Sequence, residues 1–108
     1  MPIIAHTASA SALLAALDEH RADAAVDALP ATMRDHRIVQ RAAYSCGLRG
    51  IGAAGFAVTH WGGVALRALR DGDHAAAHDA APLAVHYGAT RADDRAAALD
   101  VVYAGGAR

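Results

Sequence analysis

The sequence predicts an all-α protein: a small, Ala/Gly-rich bundle of four to six short helices in one domain, residues 1–108. Two observations predict it. Apolar residues recur at helical spacing beside cap and stop signals, and only short turns separate the stretches, with no long linker and no internal repeat. At 108 residues, one domain with one modest core is the expectation.

Residues 2–6 open with β-favouring character and are expected as a strand or an extended arm. Thr7, Ser9 and Ser11 then offer N-caps. Leu13, Leu14 and Leu17 form an apolar stripe with Asp18, Glu19 and Arg21 on the other side. This first amphipathic helix is expected to run as far as Leu29, where Pro30 ends it.

Thr32 opens the next helix, with Asp35 three residues on as a capping box. Ile38, Val39, Ala42, Ala43 and Cys46 make its apolar side, and Arg34, Arg37 and Arg41 recur on a polar side. Gly47 is a natural C-cap.

Residues 47–66 are read as the most buried part of the molecule. No formal charge lies between Arg49 and Arg67, and the only Phe and the only Trp are here. Each glycine costs a helix about 1 kcal/mol relative to Ala. The stretch therefore either breaks near residues 50–52 and 62–63 or is held helical by packing. Residues 64–70 resume helical character, and Asp71-Gly72-Asp73 is a turn.

Asp73 caps a short Ala-rich helix from His74 to about Ala81. Pro82 interrupts it or starts a further turn, closed by Gly88. Thr90 and Asp93 form another capping box for a last helix, with Ala92, Ala96, Leu99 and Tyr103 on one face.

Composition excludes some functions and weakens others. The chain has no Lys and no Asn, and Glu19 is its single Glu. The net charge is −1 with His neutral, and the charges are interspersed. No basic stripe for nucleic acid is visible. Cys46 is the sole cysteine, so no intramolecular disulfide forms, and no Lys or Arg precedes Arg21 as a signal peptide requires. These features set the expectation of a cytoplasmic protein.

Gly50-x-Gly52-x-x-Gly55 spells a dinucleotide fingerprint, but that mechanism needs a strand before it and a helix after it. A capped helix precedes it here. Residues 50–66 are also short, Gly/Ala-rich and interrupted by His60 for a membrane span. The favoured role of the stretch is close packing. Gly52, Gly55 and Gly62 let a second helix approach, with Phe56 and Trp61 as the bulk beside them, within the bundle or across a homo-oligomer. His60 is the polar group there that needs a partner if buried.

His74 and His78 stand one helical turn apart, a spacing that suits a divalent metal or a haem. A zinc site wants at least three protein ligands, and His86, Asp79 and His60 are the candidates for the third. Neither Cys46 nor Ser45 has an evident catalytic partner, and no carboxylate pair suits general acid–base work. The reading is a non-catalytic binding protein that self-associates or serves as an accessory subunit to a protein partner, away from nucleic acid and membrane. The alternative is a metal- or haem-binding helical protein with a redox or sensing role.

Overall fold

The computed structural model describes residues 2–48, 53–89 and 99–100. Among the described residues there are five α-helices and no strand: α1 Pro2–Arg21, α2 Ala24–Asp27, α3 Ala31–Ser45, α4 Ala53–Arg70 and α5 His74–Gly88. The all-α bundle is as the sequence indicates. The last expected helix lies outside the described residues except for Leu99 and Asp100, which are helical.

The expected strand or arm at residues 2–6 is instead the start of α1. Pro2 sits at the first helical position, where a missing N–H costs nothing and the fixed φ suits a helix. The helix also stops earlier than expected, at Arg21 rather than Leu29. Asp23 is the reason. Its backbone is extended (φ −70°, ψ 122°), and its carboxylate accepts from the Ala25 N–H at 2.8 Å, starting α2 afresh. A short side chain that can bond its own backbone competes with helix continuation. The other carboxylate oxygen takes a 2.9 Å ion pair from Arg41, tying α2 to α3.

The capping box at Thr32 does not form. Pro30 is the N-cap, and its carbonyl accepts from Met33 at 2.9 Å and Arg34 at 3.1 Å. Asp35 instead pairs with Arg70 at 2.6 Å, linking α3 to the end of α4. At the other end of α3 the expected glycine cap is present. Gly47 lies at φ +75°, Leu48 N–H donates to Ala43 O at 2.9 Å, and Gly47 N–H donates to Tyr44 O at 3.0 Å. This is a Schellman closure, which needs the left-handed conformation that glycine adopts freely.

α4 runs unbroken through Gly62-Gly63. Packing wins over propensity here. A Cβ on Gly62 would meet Val39 Cγ1 of α3 at 2.5 Å, closer than any real contact, so the missing side chain is what lets the two helices seat. The turn after α4 repeats the Schellman pattern: Gly72 at φ +74° donates to Leu69 O, and Asp73 N–H donates to Ala68 O at 2.9 Å. Asp73 then caps α5, accepting from Ala76 N–H at 3.1 Å.

α5 continues past Ala81 to Gly88 with Pro82 inside it, so the expected interruption is absent. Pro82 is fully buried, and its packing offsets the hydrogen bond that proline cannot make. α4 and α5 form the most extensive helix pair, with α1 laid on α5 and α3 bridging α1 and α4. The core joins Leu13, Leu17, Val26, Ile38, Val39 and Leu66 to a run of α5 alanines. No helix among the described residues is long and apolar enough to cross a membrane.

Candidate functional site: the groove between α3 and α4

The inward stripe of α3 is Ile38, Val39, Ala42 and Ala43. Helical geometry therefore turns Arg37, Gln40 and Tyr44 outward together, at i, i+3 and i+7. On α4, Val58, Gly62, Ala65 and Leu66 face inward, which places Phe56 outside. Phe56 is 77% exposed and Tyr44 is 67% exposed.

Between these two helices and the end of α1 lies an open groove of about 860 Å³. Ala43, Leu48 and Val58 supply apolar lining, and Phe56 and Tyr44 stand on its walls. Its polar lining includes His20, His36, Arg37 and Arg41. None of the described lining residues is Asp or Glu. Arg41 is engaged by Asp23, whereas Arg37 has no ion pair among the described residues. A second groove of about 390 Å³ shares His36, Phe56 and Thr59 with the first, so these three residues form the ridge between them. Asp35 and Arg67 line this smaller groove.

The residues expected to form a close-packing interface divide. Gly62 does admit a neighbouring helix, and that neighbour is α3 of the same chain. Trp61 is half-buried against the core, its ring edge-on to His60 at 5.1 Å. Gly55 lines the large groove. Phe56 is not buried bulk within the bundle, because its helical position points away from the stripe that includes Val58 and Gly62. Gly52 lies outside the described residues. His60 is exposed, so its ring can meet water and needs no protein partner.

His74 and His78 occupy the first turns of α5, both exposed. Among the described residues no three His, Cys, Asp or Glu side chains gather in a way that could hold a metal ion. His86, one of the proposed third ligands, is half-buried with its ring edge-on to Tyr87 at 4.8 Å. The dinucleotide fingerprint lacks its setting. α3 and its glycine cap, not a strand, precede it through Leu48.

Cys46 is half-buried at the end of α3, and burial pushes its thiol above the ordinary range, opposed by the Ser45 hydroxyl. A raised thiol pKa disfavours the nucleophilic thiolate. The Ser45 hydroxyl donates to Ala42 O at 2.8 Å, back into its own helix.

The groove itself was only partly visible in sequence. Arg37 and Arg41 stand out as a polar stripe, and Tyr44 falls one turn beyond Gln40 on the same side. That α4 would lie alongside with Phe56 outward depends on tertiary packing. The chain matches no protein-family model, and no curated protein and no solved structure is significantly similar to it.

Proposed function

We propose that this chain acts by binding, with the α3–α4 face as its recognition surface. The observation that carries this reading is Phe56, 77% exposed on the ridge between two grooves. A large aromatic side chain left in water forgoes roughly 1.5–3 kcal/mol of burial, which a partner would recover. Exposed aromatics beside a concave apolar surface are the usual composition of binding hot spots. A knob and a hole on one face also suit an isologous pair of copies, in which each presents the same patch to the other. The partner is therefore a second copy or another protein, as the sequence leads one to expect.

The test is sedimentation equilibrium over a wide concentration range for the native chain and for Phe56→Ser. The native chain is expected to gain mass with concentration, or to hold a co-purifying protein in stoichiometric amount. Phe56→Ser should lose either while keeping its helical circular dichroism. A native chain that stays strictly monomeric at high concentration, and is purified alone, would remove the reading.

A further inference from the structure

We propose that the large groove binds an amphipathic organic anion, an acyl or aryl body joined to a carboxylate. This rests on reading the α3–α4 face as the recognition surface and names the chemistry that face selects. The first ground is charge. The chain as a whole carries −1 with His neutral, yet the charged residues of the described groove lining are Arg37 and Arg41, with no carboxylate. Arg41 is already paired with Asp23. Arg37 is not paired among the described residues, so its guanidinium retains its capacity for bidentate carboxylate recognition.

The second ground is size and lining. About 860 Å³ falls within the range of small-molecule sites, and such sites combine an apolar surface with a few convergent polar groups. Ala43, Leu48 and Val58 provide the apolar surface. Phe56 and Tyr44 add exposed aromatic surface to the same lining. The third ground separates this occupant from a second copy. A second copy seating its Phe56 here would fill the apolar lining but leave Arg37 without an anionic partner, since the described lining holds no carboxylate. An organic anion supplies both the apolar body and the negative group.

The experiment uses decanoate below its micelle-forming concentration, with decanol as the uncharged analogue, followed by amide chemical shifts of the full chain. Decanoate is expected to shift Arg37, Gln40, Tyr44 and Phe56 saturably and to bind at least tenfold more tightly than decanol. Arg37→Gln should weaken decanoate about tenfold and leave decanol unchanged. Phe56→Ser should weaken both. Arg37 and Phe56 are exposed, so both variants are expected to keep the native circular dichroism. Equal binding of decanoate and decanol, or undiminished decanoate binding by Arg37→Gln, overturns the anion assignment while leaving the groove a binding surface. Decanoate shifts confined to other helices also overturn it. No saturable shift on α3 or α4 with either probe, together with a Phe56→Ser variant that associates like the native chain, overturns the recognition surface as well.

Discussion

At the scale of single residues, Gly62 is the glycine with least room among those described. Its missing Cβ would stand 2.5 Å from Val39 Cγ1, and Val39 is itself buried with a β-branched side chain. A branched side chain in a helix has essentially one χ1 rotamer, so Val39 cannot swing aside. Ala for Gly gains about 1 kcal/mol of helix propensity, while overpacking costs about 1–3 kcal/mol. The clash should win. Gly62→Ala is expected to destabilise by about 1 kcal/mol in urea unfolding, and Val39→Ala in the same chain should convert that loss into a relative gain. A double-mutant cycle measures the coupling directly.

Cys46 gives a pH dependence with a definite sign. Burial holds its folded-state pKa above the unfolded value. Its contribution to stability is therefore fully present below the unfolded thiol pKa and is lost as pH rises through the folded one. Stability of the native chain should decline across that alkaline window more than stability of Cys46→Ala. Urea melts at a series of pH values check this. Thiol reagents at mildly alkaline pH should react with Cys46 more slowly in the folded chain than in the urea-unfolded one.

At the scale of elements, the ends of helices decide more than their middles. The turn after α4 uses Gly72 in the left-handed region and Asp73 as the cap of α5. Gly72→Ala is expected to cost about 1 kcal/mol from backbone strain alone, since nothing lies within 4 Å of the added Cβ. Asp73→Ala should cost about 0.5–2 kcal/mol, the loss of an N-cap. Thermal melts followed by circular dichroism measure both. The sequence marked this turn correctly because Asp-Gly-Asp carries its own local physics. It misled at residues 2–6 and at Asp23, for two different reasons. Near the N-terminus the position of Pro2 outweighed the β preference of Ile3 and Ile4. At Asp23 the outcome depends in part on Arg41, eighteen residues away, which no local pattern contains.

Asp35 fits the same account. Its spacing from Thr32 predicted a cap, but Arg70 of a distant helix holds its carboxylate. A proline inside a helix ordinarily ends it, and only the full burial of Pro82 shows why it does not here. The candidate groove follows this pattern at larger scale. Arg37 and Arg41 are legible, with Arg34, as the polar side of α3, whereas Tyr44 is not singled out by that pattern and Phe56 joins the same site only through the Gly62–Val39 contact that seats α4 on α3.

At the scale of the whole molecule, the core depends on few large side chains. Among the described residues Leu13, Leu17, Ile38 and Leu66 are the bulkiest fully buried ones, and alanine fills much of the rest. Small side chains gain stability by close approach rather than by area, so helix positions must be set accurately before much is gained. α1 and α5 make one of the principal contacts, although α1 ends at Arg21 and α5 begins at His74. Closing that chain segment costs entropy before the contact repays it.

The Asp71-Gly72-Asp73 turn has a consequence for the time course of folding. Asp73 closes α4 through its backbone and starts α5 through its side chain, so no residue of slack separates the two helices. Among the described helices, a pair so short in sequence separation and so extensive in contact is the cheapest nucleus. In pulse-labelling hydrogen exchange during refolding, amides of α4 and α5 are expected to gain protection together and before those of α1. By the same logic Asp73→Ala should slow folding more than it speeds unfolding, which makes this three-residue turn the point from which the bundle assembles.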